Sequence, residues 1–490
     1  MREGHTRGTR MPSLNVDPRR YEEFDPERRP SLRWALVPVL ALVVFLGVGS
    51  GYLGLSPHAP LLWTIVLTGL VGYAVLGFSW EELYEGVASS LLMGLQAILI
   101  IFVVYAVIST WIAAGTIPAI MYYGLGLLTP EVFLPITALF AGVVAFAIGS
   151  SWTTVGTLGV AFIGIGHGLG IPSAMTAGAI VSGAYAGDKQ SPLSDTTNLA
   201  AAVTNTDLYD HIERMRVGTA VAFGLAVVAY AVLGLRAGGA IPAGQLEAIR
   251  GALASTYDLS VLAFLPLVVT FALALRGYPA LPTLVAGVFA GVLTTVGLQG
   301  VGFVDAWGVF LSGTAPETGM ELVNGLLVSG GLSGSAWTIT VVVLALTLGG
   351  VLEATGVLAV LAHHLTKLVW SAGSLVVGTE AAAITVNALS AQQYMSIVVP
   401  GMTLRNAYDD FELDSSNLSR AIEAAGTPTG VFFPWHAGAV FMAGALNFET
   451  SWAFAPYYFF GMLSPLVLLA MAVVGYDFVP KTDAATTSAD

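Results

Sequence analysis

Cysteine is absent from this chain of 490 residues, and charged residues are scarce. The absence of cysteine excludes disulfides, thiol catalysis and thiolate metal sites. Only 10% of the residues are charged and the mean hydropathy is +0.79, whereas soluble domains contain about 25% charged residues. A soluble globule would need a far more polar surface, so the composition indicates a membrane protein.

Lysine is also rare, with 3 lysines against 15 arginines. Eight of the arginines lie in residues 1–33, where six acidic residues are mixed with them. We expect this segment to form a polar cytoplasmic tail, because cytoplasmic segments next to membrane helices carry an excess of basic residues. The mixed charge argues against a nucleic-acid-binding arm. No secretory signal peptide is visible, since the first apolar run is long enough to remain a membrane helix.

The alternating pattern of a transmembrane β-barrel is missing, whereas long apolar runs recur along the chain. A helix of about 20 apolar residues spans a bilayer core of roughly 30 Å. The sequence therefore predicts an all-α polytopic membrane protein, surrounded by membrane lipid, with about 10–12 transmembrane helices.

Two parts of the chain resemble each other. TWIAAGTIPAIMYYGL is similar to VLEATGVLAVLAHHL, with Gly115 opposite Gly356. GAYAGDKQSPLSD falls opposite EAAGTPTGVFFPW, with Gly187 opposite Gly426. The two pairs have nearly the same offset along the chain, which indicates a duplicated unit. In chain order we predict an N-terminal tail, a first transmembrane repeat, a linker, a second transmembrane repeat and a C-terminal tail, comprising residues 1–33, 34–235, 236–258, 259–476 and 477–490.

The stretch GDKQSPLSDTTN, residues 187–198, interrupts an apolar segment with unusual polarity. Pro192 has no N–H and disfavours helix at Ser191, so the helix before it should end near Gly187. A new helix should begin near Asp195, which suits an N-cap position. Internal repeats with interrupted helices at corresponding positions are typical of secondary transporters, whose binding sites lie at the interruptions.

The polar residues of this interruption are hard oxygen donors, which suit a cation such as Na+. A second polar interruption, GSSWTTVGT, and the second-half segment around Gly426 offer further hydroxyl groups. The candidate ion-binding residues are Asp188, Lys189, Ser191, Asp195, Thr196, Asn198, Ser150, Ser151, Thr427 and Thr429. We predict that Na+ binds at Asp188 and Asp195. A surface loop is the alternative, although the flanking apolar segments are too short to be full spans.

Two other acidic residues lie in apolar surroundings. Glu353 marks either a helix end or a proton-binding carboxylate, and Glu380 is expected at a membrane boundary. His363 and His364 are expected at the membrane interface, because no ligand spacing supports a metal site.

The segment GAYAGDKQSPLSDTTNLAAAV closely resembles the signature of NhaC-type Na+/H+ antiporters, a family within a wider ion-transporter superfamily. GSSWTTVGTLGVAFIGIG, QYMSIVVPG, NLSRAIEAAGT and PWHAGAVFMAG are similar to its other landmarks, and the likeness covers residues 34–476. The resemblance implies two repeats of inverted topology with broken or re-entrant helices. It also implies exchange of Na+ or an organic substrate.

The second half departs from the family pattern. Gln392 stands where relatives carry an acid, and His436 where they often carry asparagine. Ala424 and Ala425 replace an acid and a serine. The first-half signature is intact, so the departures bear on the substrate.

The most direct interpretation is a secondary transporter of the cell membrane that exchanges Na+ for H+. Buried aspartates would bind either ion alternately, which couples the two fluxes. The alternative is a Na+- or H+-coupled antiporter of an organic acid or amino acid. An intramembrane enzyme is not supported, since neither a nucleophile–base pattern nor a metal motif such as HExxH is present. We expect no resident cofactor and no nucleic-acid partner, and the sequence permits a homodimer.

Overall fold

A computed structural model describes residues 19, 21–237, 244–367 and 369–481. The predicted tails lie partly outside these residues, which exclude 1–18, 20 and 482–490. Throughout the described part of the chain the regular structure is helical and no β-strand occurs. The predicted all-α class is therefore confirmed.

The first part of the chain contains nine α-helices within the described residues, some of them separated by very short turns. In chain order they are α1 (Leu32–Leu46), α2 (His58–Ala74), α3 (Trp80–Ala113), α4 (Thr116–Leu127), α5 (Pro130–Ile148), α6 (Ser151–Gly168), α7 (Ser173–Asp188), α8 (Asp195–Thr204) and α9 (Leu208–Ala237). A π-helical turn, Gly47–Tyr52, extends α1.

The second part contains the remaining helices within the described residues. They are α10 (Gln245–Thr256), α11 (Leu265–Leu275), α12 (Ala280–Gly297), α13 (Phe303–Ser312), α14 (Glu321–Leu327), α15 (Gly331–Gly334), α16 (Ala336–Ala354), α17 (Val357–Thr366), α18 (Ala372–Ser390), α19 (Gln393–Thr403), α20 (Arg405–Asp410), α21 (Ser415–Thr429), α22 (Ala437–Ala445) and α23 (Phe459–Val474). Helix α10 lies inside the predicted linker.

Seven helices of the described chain are long and apolar enough to cross a membrane, or eight if the bent segment of α10 and α11 counts as one span. These helices make the chain a multi-pass membrane protein. The number is smaller than the 10–12 spans expected from the sequence. The difference arises because several apolar helices, such as α4 and α23, are only 10–17 residues long and stop short of the roughly 20 residues that a full span needs.

The order of helices repeats along the chain. Helices α3 to α8 correspond to α16 to α19, α21 and α22, and equivalent helices end at a nearly constant offset in the sequence. Gly115 and Gly356 directly precede α4 and α17, each with a positive φ, of 80° and 74°. The expected register between Gly187 and Gly426 is wrong, because α7 ends at Asp188, just after Gly187, whereas α21 continues past Gly426 to Thr429.

Two short helices, α7 and α21, lie at the centre of the molecule. Every residue of 176–188 in α7 and of 416–429 in α21 is buried. Small residues permit this close packing: a Cβ atom at Gly183 or Gly187 would collide with the backbone of α5 at Ala138 or Gly142. Glycine lets helix backbones approach closely inside a membrane protein, so the ends of α7 and α21 are held in the protein interior.

Candidate functional site

The first interruption begins where α7 ends at Asp188 and closes where α8 begins at Asp195. Both ends agree with the predicted break around Pro192. The N-cap of α8 is Ser194 and not Asp195, since the Ser194 hydroxyl accepts a hydrogen bond from the Thr197 N–H. Asp195 is consequently the first residue of the helix, and its carboxylate lies beside the helix N-terminus, where negative charge is stabilised.

The carboxylate of Asp188 lies at the N-terminus of α6. Gly149 ends α5 with a positive φ of 72°, and Ser150 then caps α6 by accepting from the Thr153 N–H. This turn directs the Ser151 N–H at Asp188, whose Oδ2 accepts from it at 2.9 Å. Asp188 is 4% exposed, and its Oδ1 has no hydrogen-bond partner among the described residues. One carboxylate oxygen is thus anchored and the other is available.

Asp195 connects the two halves of the protein. Its Oδ2 accepts from the Tyr394 hydroxyl at 2.5 Å, and its Oδ1 accepts from the Thr196 N–H at 2.9 Å. Tyr394 belongs to α19 in the second half. A first-half aspartate therefore meets a second-half residue at the start of α19.

A small cavity of about 40 Å³ lies where these elements meet. Its polar and aromatic lining comes from both halves: Ser150, Ser151, Trp152, Asp188, Asp195, Thr196, Gln392, Gln393, Tyr394 and His436. We call it the site cavity. A water molecule needs about 10–15 Å³ of such volume, so the site cavity has room for an ion with a few waters. Among the described residues that line it there is no lysine or arginine, and two aspartates make it electronegative.

Five buried atoms of the site cavity lack a hydrogen-bond partner within the described structure. They are Oδ1 of Asp188, Oγ of Ser151, Oε1 and Nε2 of Gln392, and Nε2 of His436. Unpartnered buried polar atoms are costly, so their concentration here indicates that a polar ligand completes them.

The second half builds its side of the cavity by the same backbone construction. Ala391 ends α18 with a positive φ of 54°, as Gly149 ends α5, and α19 begins shortly afterwards at Gln393. Residues at equivalent positions of the two repeats line the cavity together: Ser150 with Gln392, Ser151 with Gln393, Trp152 with Tyr394, and Asp195 with Ala437. The cavity therefore lies between two corresponding structural units.

A second polar cluster lies beside the site cavity and is centred on Glu423 of α21. Its Oε1 accepts from the hydroxyls of Thr196 and Thr197 at 3.3 and 3.2 Å. Its Oε2 lies 2.7 Å from Nε2 of His211, whose Nδ1 is 2.9 Å from the Ser419 hydroxyl. Glu423 and His211 are completely buried. The cluster joins α8 and α9 of the first half to α21 of the second.

Lys189 is buried between the two halves, but outside the site cavity. Its ammonium donates to the Ala424 carbonyl and to the Ser464 hydroxyl, both at 3.2 Å, and lies 5.5 Å from the centre of the Phe460 ring. Within the described residues it forms no ion pair with Asp188.

The predicted site residues separate into two groups. Those that line the site cavity are Asp188, Asp195, Thr196, Ser150 and Ser151. Those that lie elsewhere are Lys189, Ser191, Asn198, Thr427 and Thr429.

The residues of the second group other than Lys189 form local hydrogen bonds. The Ser191 hydroxyl accepts from the Leu193 N–H, and the Asn198 amide donates to the Pro192 and Ser194 carbonyls. Thr427 and Thr429 donate to carbonyls one helical turn earlier, those of Glu423 and Ala425. These four residues do not line the site cavity.

Sequence reasoning did not assign His211, Glu423, Gln392, Tyr394 and His436 to the site. Gln392 and His436 stood out in the sequence as expected departures from the family pattern, whereas Glu423 lies in the polar segment NLSRAIEAAGT and did not stand out there. His211 carried no signal, because it is far from α21 in the sequence and meets it only in the folded protein.

The expected boundary position of Glu380 is wrong. Glu380 lies in the middle of α18, is 5% exposed, and its Oε1 has no partner in the described structure. Its neighbours in sequence are alanines, which gave no indication of burial against α21. Glu353, in contrast, lies in the last turn of α16, in agreement with the helix-end interpretation.

Access to the site cavity differs between the two sides of the protein. A cavity of about 290 Å³ shares Ile100, Ser150 and Asp195 with it and extends to residues 277–280, between α11 and α12. A cavity of about 650 Å³, lined by Tyr105 and Gly444 among other described residues, shares none of its described lining with the site cavity. The site cavity therefore adjoins the cavity near residues 277–280 but not the larger one.

Comparison with known proteins gives consistent matches. The Na+/H+ antiporter family matches residues 183–476. An arginine/ornithine antiporter of Halobacterium salinarum is 52% identical over 471 residues, which cover 96% of this chain and 97% of that protein. A Na+/H+ antiporter of Alkalihalophilus pseudofirmus is 35% identical, with 92% and 97% covered. A malate-2H+/Na+-lactate antiporter of Bacillus subtilis is also 35% identical, with 82% and 85% covered.

Proposed function

The chain belongs to the Na+/H+ antiporter family, as its motifs predicted, and on this premise we propose that it exchanges arginine for ornithine across the cell membrane. The observation that carries the proposal is an electronegative cavity, with Asp188 and Asp195 in its lining and no lysine or arginine among the described residues around it. Such a cavity selects a cation. The 52% identity with an arginine/ornithine antiporter over nearly the whole of both chains supports a basic amino acid as that cation.

The charge of the site explains why transport would be coupled exchange. The Asp188 carboxylate is buried, and the more exposed Asp195 places a second carboxylate beside it. A buried charge without a partner is strongly unfavourable, so the empty protein resists passing through a closed state that would enclose both carboxylates. A bound cation removes this penalty. After releasing one basic amino acid, the protein can return to the first side only with another basic amino acid bound. The two movements are therefore coupled.

The arrangement of the cavities suits alternating access. The site cavity adjoins the cavity near residues 277–280 and shares no described lining residue with the cavity of about 650 Å³. The ring of Trp152, which lines the site cavity, stacks on that of Phe441 at 4.5 Å, and we propose that this stack separates when a second route opens. Such rocking of one repeat against the other around a fixed site is the general behaviour of transporters built from repeats.

Exchange of Na+ for H+ is the second candidate. It is favoured by the site cavity's volume of about 40 Å³, which suits a partly hydrated ion, while ligand pockets usually measure about 300–1,000 Å³. The adjoining cavity of about 290 Å³ would have to contribute for an amino acid to fit.

A flux assay in proteoliposomes distinguishes the candidates. Vesicles loaded with ornithine should take up radiolabelled arginine rapidly, whereas empty vesicles should not, and a Na+ pulse alone should leave the internal pH unchanged. Internal alkalinisation or acidification driven by Na+, without any effect of ornithine on arginine uptake, would reject amino-acid exchange in favour of Na+/H+ exchange.

A further inference from the structure

The site cavity contains donors that a simple cation does not need. Nε2 of His436 and Nε2 of Gln392 line it without a partner in the described structure, and the two residues are only 1% and 3% exposed. A cation is bound by oxygen atoms and would leave these N–H groups unsatisfied. They indicate a ligand that also carries an acceptor oxygen.

The protonation of His436 follows from its own hydrogen bond. The Gly438 N–H donates to Nδ1 of His436 at 3.0 Å, so Nδ1 must present a lone pair. The proton of the neutral ring is then on Nε2. His436 therefore presents an N–H donor to the site cavity while its other nitrogen caps α22.

In the first half, the corresponding part of the cavity already binds a carboxylate. There the start of α6 holds the carboxylate of Asp188, through the Ser151 N–H. The second-half counterpart of Asp188 is Gly430, in the register that pairs Ser150 with Gln392, and it has no side chain. A Cβ atom on Gly430 would lie 2.5 Å from the His436 ring, so the ring fills that position. The second half thus lacks the internal carboxylate and carries a donor in its place.

We propose that Gln392 and His436 bind the α-carboxylate of the amino-acid substrate, while Asp188 and Asp195 bind its cationic groups. The inference rests on the proposed function and specifies how the site recognises that substrate. Nε2–H of His436 and the Gln392 amide N–H donate to the carboxylate oxygens, and Oε1 of Gln392 accepts from the α-ammonium group. The N-terminus of α19, which begins directly after Gln392, adds a favourable field for the anion.

The positions of these residues suit a long, doubly charged substrate. All four line the site cavity, and Asp195 also lines the adjoining cavity of about 290 Å³. A basic side chain can therefore extend past Asp195 while the α-carbon end stays between Gln392 and His436. An acid at position 392 would repel a substrate carboxylate, whereas the neutral amide of Gln392 can donate to it.

The test compares arginine with agmatine, which has the same guanidinium side chain but no carboxylate. Ornithine-loaded proteoliposomes are assayed for inhibition of radiolabelled arginine uptake by each compound, and the ratio of the two inhibition constants is measured. In the wild type, agmatine should bind at least about tenfold more weakly, because hydrogen bonds to a charged group are each worth a tenfold change or more.

Gln392→Met removes the amide at nearly constant volume. His436→Asn keeps a good N-cap for α22 but is too short to place a donor where Nε2 lies. Either variant should raise the inhibition constant of arginine about tenfold and leave that of agmatine within about twofold, so that the ratio falls toward one. The matched control is Gln190→Met, which removes a half-buried amide that bonds to Thr219 outside the site cavity and should leave the ratio unchanged.

The outcomes separate the inference from the function on which it rests. A ratio near one in the wild type, or an equal loss of arginine and agmatine binding in both variants, overturns the carboxylate subsite while amino-acid exchange stands. Absence of ornithine-stimulated arginine uptake in the wild type overturns the proposed function and the subsite together. A collapse of the ratio in either variant, with an unchanged control, supports the subsite.

Discussion

The two interruptions have the same backbone construction but different side chains. In each half a residue with positive φ, Gly149 or Ala391, separates two helices, and the second of them begins at the site cavity. The first half contributes the carboxylates, whereas the second contributes amides, a phenol and an imidazole. The shared backbone construction thus supplies the geometry of the cavity, and the different side chains supply the polarity that the proposed binding of opposite charges requires.

The halves also differ in how they are joined. The only second-half carboxylate in direct contact with the polar groups of α8, among the described residues, is that of Glu423. It does not line the cavity but holds Thr196, Thr197 and His211 in place. The first half therefore supplies the carboxylates that line the cavity. The second half supplies the carboxyl group of Glu423, which holds the neighbouring polar side chains in place.

The largest effect on stability should come from removing the Glu423 side chain that joins the two halves. Glu423→Ala leaves His211 and two threonine hydroxyls buried without their acceptor, and each buried polar group left without a partner costs about 1–3 kcal/mol. The unfolding temperature in detergent should fall strongly for Glu423→Ala. It should fall less for Glu423→Gln, which keeps an acceptor. Glu247→Ala, at an exposed site on α10, is the control. A wild-type unfolding temperature for Glu423→Ala would contradict the positioning role.

Neutralising the charged wall of the cavity should abolish exchange without unfolding the protein. Asp188→Asn retains an oxygen for the Ser151 N–H, and Asp195→Asn retains one for Tyr394. Each loses its charge, however, and exchange should fall about a hundredfold, equivalent to about 2.7 kcal/mol, which is within the range for a hydrogen bond to a charged group. Arginine–ornithine exchange in proteoliposomes measures this, with Asp305→Asn on the exposed start of α13 as control. Unchanged rates in both variants would remove the aspartates from the site.

Substitutions at the two positive-φ positions, Gly149 and Ala391, should change the stability of the protein in opposite directions. Gly149→Ala adds a Cβ that meets the backbone of Leu193 at 2.6 Å, in a conformation that itself costs a non-glycine residue about 1–3 kcal/mol. Ala391→Gly relieves that backbone cost and should stabilise the protein by up to about 1 kcal/mol. Thermal unfolding of the two variants compares them directly. A destabilised Ala391→Gly would show that the second half tolerates its strain for reasons of packing.

The smallest effect on the exchange rate should come from removing single hydroxyl groups. It should differ between a hydroxyl that lines the cavity and one that does not. The Ser151 hydroxyl has no partner in the described structure and lines the cavity, so Ser151→Ala should lower exchange by several-fold, corresponding to about 1 kcal/mol. The Thr427 hydroxyl donates to its own helix at Glu423, so Thr427→Val should change exchange by less than about twofold. An equal loss in the two variants would place Thr427 closer to the substrate than the structure does.

Several features of the fold were predictable because they depend on local chemistry. Pro192 removes a helix donor and Ser194, Asp195 and their neighbours suit a helix start, so the break between α7 and α8 followed from the sequence. The pairing of Gly115 with Gly356 was visible because both positions need the same unusual backbone conformation. The exact register of the second break was not, since its helix end at Thr429 carries no charged marker like Asp188.

By itself, the sequence determined that this is a helical membrane protein with two related interruptions, and it predicted an acidic candidate site in the first half. These properties arise from hydropathy, from backbone restrictions and from residue type, which act over a few neighbouring positions. Only the tertiary structure decided that Tyr394 meets Asp195, that His211 meets Glu423, and that Thr427 turns away from the cavity. Those contacts join residues from opposite halves of the chain or depend on which side of a buried helix faces the cavity, and helix packing alone fixes both.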